Sequence, residues 1–527
     1  MRMWGKKSVA ALLTLVLTLG LLLPAGVTEA NSASGEIRIY VNNQRLLSDV
    51  APYVVPKKNV TMLPFRAIGE ALGATVSWDP KLKEVKFQKE DRLIQMTLGD
   101  ASALVNGEVV KMDVAPETKY SRTMVPLRFI GENLGLTVNW DQSTRTVTLI
   151  TADGEVQELA GLRGTWISSV YNIDWPQDPR KGFDAEKQKS DYKKMLDQLQ
   201  DMGLNAVFVQ IRPTADSFYP SQYFPWSEWL TGTQGKDPGY DPLAFMIEET
   251  HARGMQFHAW INPYRVSVQG DLTKLTEDHP ARQHPEWVVK HNNKLLFNPG
   301  IPEVQQYITN AVMEVVNNYD IDGIHFDDYF YPYGQAAEPF NDDETYSTYN
   351  KVFKDKASWR RNNVNQFVQQ LSSKIHAANP YVSFGISPFG VWRNSNVDST
   401  GSQTTAGVTS YDSLHADIRT WIKSGWIDYV APQIYWHIGH KAADYATLVD
   451  WWVNETAGTG VKLYIGHAAY KLADANEKDW NSADVLIDQL TYNEQFSSVA
   501  GDIYFSAKDL LNNTKNVADR LKAYYKQ

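Results

Sequence analysis

The alternation of hydrophobic and polar positions divides this chain of 527 residues into parts that are built differently. From Leu162 onward, short apolar strands alternate with amphipathic helices in the order strand, loop, helix. The predicted strands lie near residues 164–169, 206–212, 256–262, 322–327, 382–387, 428–435, 461–466 and 502–505. Eight strand–helix units predict an α/β fold, a (β/α)8 TIM barrel with long loops. A doubly wound sheet fits less well, because no glycine-rich phosphate loop follows the first strand.

The part before the barrel contains a sequence repeat. Residues 62–87 and 124–149 align without a gap, and 13 of the 26 aligned positions are identical. Each copy is predicted to contain a short helix that begins after a proline, followed by a strand with a Trp-Asp pair. The pattern therefore predicts a small α+β repeat domain over residues 37–150, followed by the barrel over residues 160–527.

The first 30 residues have the features of an export signal. Arg2, Lys6 and Lys7 precede an apolar run over residues 9–23, and small residues follow. A membrane span needs about 20 apolar residues, so this run is short for one. We therefore expect residues 1–30 to be a signal peptide, and the mature bacterial protein to be secreted or associated with the cell wall, without a membrane span.

Composition and charge exclude several kinds of site. The chain has no cysteine, which excludes disulfides, thiolate metal sites and a cysteine nucleophile. The net charge is −10, and residues 161–527 carry 33 Lys and Arg against 44 Asp and Glu, so nucleic acid is not an expected partner. All 11 histidines lie at or beyond His251, which leaves the repeat domain without an imidazole ligand for copper. No metal and no cofactor are predicted.

Strand alternation predicts which side chains point into the barrel. In the second strand, Val207, Val209 and Ile211 form an apolar outer face, which leaves Gln210 and Arg212 inward. The same argument in the other strands places these side chains inward: Trp166, His258, Trp260, Asn262, His325, Asp327, Ser387, Gln433 and Tyr435. Polar and aromatic groups thus converge at the carboxyl end of the barrel, where barrel enzymes keep their active sites. A cleft there is predicted.

A carboxylate surrounded by aromatic, amide and guanidinium groups suits a sugar substrate. Glycoside hydrolysis usually needs two carboxyl groups. Asp327 is the best-placed candidate, Asp328 follows it if the strand has already ended, and Asp216 lies in the loop after the second strand. These three are the predicted catalytic residues, and Glu338 is a weaker candidate. The predicted substrate-binding residues are Trp166, Gln210, Arg212, Trp260, Asn262, Tyr264, His325, Gln433 and Tyr435.

Structural roles compete with some of these assignments. His325 and His258 fit equally well as hydrogen-bonded histidines of the barrel interior. Arg212 could form an ion pair with Asp327 or Asp216, which would lower the pKa of that carboxyl.

The motifs of the barrel resemble those of the glycosyl hydrolase-like 10 family over about residues 160–510. They lie at residues 162–166, 210–216, 258–265, 322–332 and 431–436. The resemblance implies a barrel hydrolase that acts on cell-wall glycan strands, with peptidoglycan as the polymer. The fourth-strand motif is also similar to the strand that bears the acid of family 18 chitinases, but Tyr329 stands where those enzymes have glutamate. Asp327 and Tyr435 would fit a variant in which the substrate acetamido group assists.

The repeat domain resembles the module named after the N-terminus of copper amine oxidases. This resemblance implies a wall-binding or spacer element, or a structural appendage. Two functions remain open for the whole chain: a secreted glycoside hydrolase of cell-wall polysaccharide that uses carboxylate acid/base catalysis, and a non-catalytic wall-binding or carbohydrate-binding protein built on a glycosidase barrel. The distribution of histidines argues against a copper amine oxidase.

Overall fold

The computed structural model describes residues 37–41, 44–46, 48, 50–56, 58–119, 122–141, 146–150, 161–333, 339–379 and 382–526. The predicted signal peptide, residues 1–30, lies outside the described residues, and so does Glu338. Among the described helices, none has both the length and the apolar character needed to cross a membrane.

The described part of residues 37–150 forms two four-stranded sheets and one five-stranded sheet. Two helices, Phe65–Ala71 and Leu127–Asn133, each begin directly after a proline. Gly73 and Gly135 follow them with φ of 65° and 88°, a left-handed conformation that glycine adopts without strain. The strands are Arg38–Val41, Gln44–Arg45, Tyr53–Val55, Val60–Pro64, Thr75–Asp79, Glu84–Lys89, Arg92–Thr97, Ser102–Val105, Glu108–Lys111, Glu117–Lys119, Arg122–Pro126, Thr137–Asp141 and Thr146–Ile150. Their buried apolar side chains form a core separate from that of the barrel.

Further along the described chain, eight parallel strands close into a barrel in which neighbours follow chain order. The strands are β1 (Leu162–Ile167), β2 (Ala206–Arg212), β3 (Gln256–Ile261), β4 (Gly323–Phe326), β5 (Ser383–Ile386), β6 (Tyr429–Val430), β7 (Lys462–His467) and β8 (Val499–Tyr504). The main helices between and after them are α1 (Ala185–Asp201), α2 (Pro242–His251), α3 (Pro302–Asn318), α4 (Lys356–Ala378), α5 (Ile418–Lys423), α6 (Tyr445–Thr456), α7 (Asp484–Asn493) and α8 (Val517–Tyr525). The predicted (β/α)8 TIM barrel is confirmed.

Aspartates fix the starts of many of these helices. The side chains at five N-caps accept a hydrogen bond from a backbone N–H of the first turn: Asp184, Asp241, Asp355, Asp417 and Asp444. Each cap satisfies a donor that the helix leaves unpaired and places a negative charge at the positive end of the helix dipole. Because the helices run back along the strands, these caps lie toward the carboxyl end of the barrel.

Two apolar layers surround the barrel wall. The interior cluster consists of Leu162, Trp166, Ala206, Phe208, Trp260, Tyr429, Ala431, Tyr464 and Ile503. A larger cluster lies between the strands and the helices, and it contains Val207, Val209 and Ile211 of β2. The side chains of β2 thus alternate between the two layers over most of the strand.

A β-bulge interrupts this alternation near the end of β2. Gln210 pairs with Trp260, whereas Arg212 pairs with Ile261, so β2 contains one extra residue. Ile261 belongs to the layer between strands and helices, and Arg212 faces the same layer, with its guanidinium 4.1 Å from the centroid of the Phe224 ring. The predicted inward orientation of Arg212 is therefore wrong, because the bulge shifts the alternation by one residue.

The loop after β3 contains a small antiparallel sheet that the sequence pattern did not predict. Its strands are Arg265–Ser267, Val288–His291 and Lys294–Phe297. The same loop contains the short helix Pro280–Gln283, and the short helices of other loops are Glu228–Thr231, Asp343–Tyr349 and Ala507–Leu511. The sheet places Arg265 beside the carboxyl end of β4, where the candidate site lies.

Candidate active site

Two adjacent aspartates form the centre of the candidate site. β4 ends at Phe326, and Asp327 and Asp328 follow in irregular backbone at the carboxyl end of the barrel. Because the strand has ended, its alternation no longer sends the two side chains to opposite faces. Asp327 is 5% exposed and Asp328 is 4% exposed, so both carboxyl groups are largely withdrawn from bulk water.

Asp327 accepts hydrogen bonds at both oxygens. Asn262 Nδ2 donates to Oδ2, and the backbone N–H of Tyr329 donates to Oδ1 at 3.1 Å. Burial raises the pKa of the Asp327 carboxyl, while the nearby Arg265 guanidinium and the two donors lower it. The cation and both donors favour the ionised form of Asp327.

Asp328 lies in the electrostatic field of its neighbour. Gln433 Nε2 donates to Oδ1 at 3.1 Å, and the Tyr333 hydroxyl donates to Oδ2. Burial raises the pKa of Asp328, and the negative charge of Asp327 raises it further, to about 6. Two like charges in one buried site ionise in separate steps, so the pair keeps one proton in weakly acidic solution.

Aromatic side chains border the aspartate pair. Tyr329 is 39% exposed, and its ring centroid lies 4.7 Å from Arg265 Cζ and 5.4 Å from the centroid of Tyr333. The series continues from Tyr333 to Phe389 at 6.3 Å and from Phe389 to Trp436 at 5.6 Å. Flat ring faces next to hydrogen-bonding groups are suited to the C–H faces and hydroxyls of a pyranose.

The segment after β6 brings Gln433 and Tyr435 to the same place. Besides its contact with Asp328, Gln433 Nε2 donates to the backbone oxygen of Ser387 at 2.9 Å. The Tyr435 ring lies 6.3 Å from that of Phe505. Burial raises the pKa of the Tyr435 phenol well above its usual value, and the charges of both aspartates raise it further, which places this hydroxyl near the pair.

Gln210 and Asn262 lie behind Asp327 and are closed to solvent. Gln210 is 1% exposed and Asn262 is fully buried. Gln210 Nε2 donates to Asn262 Oδ1 at 2.5 Å, and Asn262 in turn donates to Asp327. The structure therefore brings both predicted residues to the site, on its buried side.

Trp166, Trp260 and His325 belong to the barrel interior beneath the pair. Trp166 is 2% exposed, and its Nε1 donates to His325 Nε2 at 3.0 Å. The other ring nitrogen of His325 lies 3.0 Å from the Tyr429 hydroxyl, so His325 is a hydrogen-bonded interior histidine. Trp260 is 6% exposed and lies next to Asp327. Direct contact of a glycan with Trp166 or His325 is not supported.

Three other predicted residues are not brought to the pair. Arg212 lies behind the barrel wall, as described above. Tyr264 is fully buried against Phe367 of α4, with ring centroids 5.5 Å apart. Asp216 is fully buried in the loop after β2, where burial raises its pKa to about 6 and the Thr214 and Ser227 hydroxyls oppose this.

Sequence reasoning assigned no role to Arg265 or Tyr333. A basic residue three positions after the inward-facing Asn262 was an available signal for Arg265. Tyr333 follows β4 by seven residues in irregular backbone, where alternation gives no direction.

Among the described residues, no group of three or more His, Asp and Glu side chains is placed to hold a metal ion. The chemistry that the site offers is proton transfer by carboxyl groups and binding by amides, hydroxyls and aromatic rings.

Comparison with known proteins finds two matching families and several similar proteins. Residues 161–484 match the glycosyl hydrolase-like 10 family, and residues 40–149 match the copper amine oxidase N-terminal domain. The chain is similar to glycosyl hydrolase YngK of Bacillus subtilis strain 168, with 56% identity over 362 residues, which cover 68% of this chain and 71% of the relative. It is also similar to glycosyl hydrolase DigH of Escherichia coli K12, with 41% identity over 377 residues, which cover 68% of this chain and 85% of the relative.

Among solved structures, the PgaB (BpsB) glycoside hydrolase domain from Bordetella bronchiseptica aligns with a TM-score of 0.44 and 14% identity. The alignment covers 68% of this chain and 98% of that domain. The family match spans more than half of the chain and includes both aspartates of the pair. Both resemblances read from the sequence are confirmed, and the chain belongs to the glycosyl hydrolase-like 10 family.

Proposed function

We propose that this chain is a secreted glycoside hydrolase that cleaves O-glycosidic bonds in the glycan strands of peptidoglycan. The observation that carries the proposal is the buried Asp327–Asp328 pair at the carboxyl end of the barrel, in which burial and the charge of Asp327 raise the pKa of Asp328 to about 6. Hydrolysis of a glycosidic bond needs both a proton donor and a carboxylate. The relatives named glycosyl hydrolase support the reaction class.

The pair suits a reaction assisted by the substrate acetamido group. Asp328 donates its proton to the glycosidic oxygen as the C1–O bond breaks, and the acetamido oxygen bonds to C1 in its place. Asp327 accepts the acetamido N–H, and the Tyr435 hydroxyl donates to the acetamido oxygen. Water then attacks C1, the bond between C1 and the acetamido oxygen breaks to restore the acetamido group, and the water loses a proton to Asp328, which restores the site. This route uses a second carboxylate for orientation rather than for attack, so two adjacent aspartates suffice.

Secretion and wall association are supported by parts of the chain outside the barrel. Residues 1–30 have the pattern of a signal peptide. The domain matched at residues 40–149 adds a second folded part that is suited to holding the enzyme near an insoluble polymer. We propose that this domain binds the cell wall.

The function is tested by incubating the purified chain with intact and with peptide-stripped peptidoglycan and identifying soluble products by mass spectrometry. We expect oligosaccharides with new reducing ends that increase with time. Glycan that is bound but never shortened would overturn the proposal in favour of the second candidate, a non-catalytic carbohydrate-binding protein. The observation that favours this candidate is Tyr329, which stands where the related chitinase motif has its acid.

A further inference from the structure

The orientation of the Gln210 carboxamide is fixed by the loop after β1. Its Oε1 accepts hydrogen bonds from the backbone N–H groups of Ser169 and Val170, both at 3.0 Å, and from the Ser168 hydroxyl at 3.1 Å. Backbone N–H groups can only donate, so the atom that faces them is the oxygen. The Nε2 of Gln210 must therefore point to the opposite side, away from this loop.

The orientation of the Gln210 carboxamide determines the orientation of its hydrogen-bond partner, Asn262. Gln210 Nε2 lies 2.5 Å from Asn262 and donates, so the atom of Asn262 that receives the bond is Oδ1. The other end of the Asn262 carboxamide, Nδ2, then faces Asp327 Oδ2 and donates to it. A carboxylate oxygen that faces an N–H donor is favoured in its ionised form.

We propose that Gln210 is a positioning residue, which keeps Asp327 ionised through Asn262 and thereby assigns the proton of the pair to Asp328. The inference deepens the proposed function and rests on it. It also changes the role predicted for Gln210 from the sequence: a side chain that is 1% exposed and bonded at both ends acts through Asn262 and not on the substrate.

Other groups also face Asp327 and contribute to its charge state. Arg265, from the loop after β3, favours the ionised form. Among the described residues, titratable groups that interact with Asp327 include Asp328, Tyr329, Tyr333 and Tyr435. Since the hydrogen-bond relay is separate from Arg265, reversing it should change the proton distribution while this cation stays in place.

The test is the variant Gln210→Glu. The introduced carboxylate has no N–H to offer Asn262, so the Asn262 amide reverses, donates to the new carboxylate and turns Oδ1 toward Asp327. Asp327 must then carry a proton to make the bond. We expect kcat/KM to fall by about 10-fold or more at the pH optimum, with little change in KM, and the acidic limb of the pH profile to move up by about one unit.

The matched control is Gln188→Glu. Gln188 is also buried and also bonded at both ends of its carboxamide, to the Leu230 carbonyl at 2.7 Å and the Tyr240 hydroxyl at 3.0 Å, but it lies on α1, outside the site. It reproduces the cost of a buried carboxylate and should leave both pH limbs in place. If Gln210→Glu does not fold, Gln210→Met replaces it, with the expected loss of kcat. A normal pH profile in a folded Gln210 variant would overturn the inference.

A second readout separates failure of the relay from failure of the proposed function. The infrared carboxyl band of Asp327 is obtained as the difference between Asp328→Asn and the Asp327→Asn/Asp328→Asn double variant, each with and without Gln210→Glu. No turnover is needed. We expect the Asp327 midpoint to rise when Gln210→Glu is present, and an unchanged midpoint would contradict the relay. An inactive wild-type chain with a shifted midpoint would contradict only the proposed function.

Discussion

Asp328 is a buried acid whose protonation should make the stability of the fold depend on pH. Burial and the charge of Asp327 raise its pKa from 3.8 to about 6. The folded chain therefore binds more protons than the unfolded chain between about pH 4 and pH 6, and the unfolding free energy falls as the pH rises through this window. Above it, the folded chain carries the full cost of a buried charge.

The variant Asp328→Asn should remove this cost. We expect its unfolding free energy at pH 7 to exceed that of the wild type by on the order of 1–3 kcal/mol, with little difference at pH 4. Denaturant unfolding at the two pH values measures the change. Asp197→Asn, at a side chain that is 65% exposed, is the control and should show no comparable gain. Equal unfolding free energies of wild type and Asp328→Asn at pH 7 would show that the charge of Asp328 does not destabilise the fold.

The same pKa predicts the alkaline limb of the activity profile. As Asp328 loses its proton above about pH 6, kcat/KM should decline, because the glycosidic oxygen no longer has a donor. Initial rates on a soluble glycan from pH 4 to pH 9 give the profile. Asp328→Asn should be slower by about 100-fold or more at its best pH and should lack this limb. Activity that stays flat through pH 8 would contradict the assignment of Asp328 as the acid.

At the level of elements, the bulge in β2 determines which polar groups reach the site. It keeps Gln210 on the inner face and moves Arg212 to the helix side, where the guanidinium lies near Asp216 in a fully buried environment. Burial lowers the pKa of Arg212 to about 10, and Asp216 is among the groups that oppose this. Arg212 and Asp216 are thus two buried groups of opposite charge that interact electrostatically, away from the aspartate pair.

Variants of Arg212 and Asp216 should change stability and not catalysis. Arg212→Met leaves the carbonyls of Asn262 and Pro263 without their donor and Asp216 without a nearby cation, which should cost roughly 1–3 kcal/mol. The double variant Arg212→Met/Asp216→Asn should recover part of that loss, because no charge remains unpaired. Unfolding free energies of the four chains form the cycle, and KM on soluble glycan should stay within about twofold of the wild type. A large change of KM in Asp216→Asn would show that Asp216 contributes to substrate binding and is not only structural.

The barrel was predictable from the sequence because each strand has its own apolar alternation and each intervening helix its own periodicity. The interior position of Trp260 and the outer position of Ile261 follow directly from that period. Arg212 was misplaced because a bulge inserts one residue, which a pattern of period two cannot show. Tyr264 and Tyr333 lie beyond the strand ends, where backbone direction depends on loop packing.

At the scale of the whole molecule, the domain of residues 37–150 and the barrel have separate apolar cores. The apolar cluster of residues 37–149 does not share members with the clusters of the barrel. Arg122 nevertheless contacts the barrel, with Nη2 3.4 Å from Asp322 Oδ1, just before β4 begins. The aspartate pair lies at the other end of that strand, so the first part and the candidate site are at opposite ends of the barrel.

The proposed division of labour predicts how a fragment of residues 161–527 behaves. It should fold, hydrolyse a soluble glycan at about the wild-type rate, and sediment less with insoluble cell walls, because the proposed wall-binding domain is missing. Pelleting assays and initial rates, both compared with the full chain, measure the two properties. Undiminished sedimentation of the fragment would assign wall binding to the barrel and leave the first domain as a spacer.

The central claim is that the aspartate pair performs glycoside hydrolysis. Its most direct test is the rate at which reducing ends appear when purified, peptide-stripped peptidoglycan strands are incubated with the wild type and with Asp327→Asn, both shown to be folded. We expect steady release by the wild type and a rate lower by about 100-fold or more for the variant. Release by Asp327→Asn at the wild-type rate would contradict this claim.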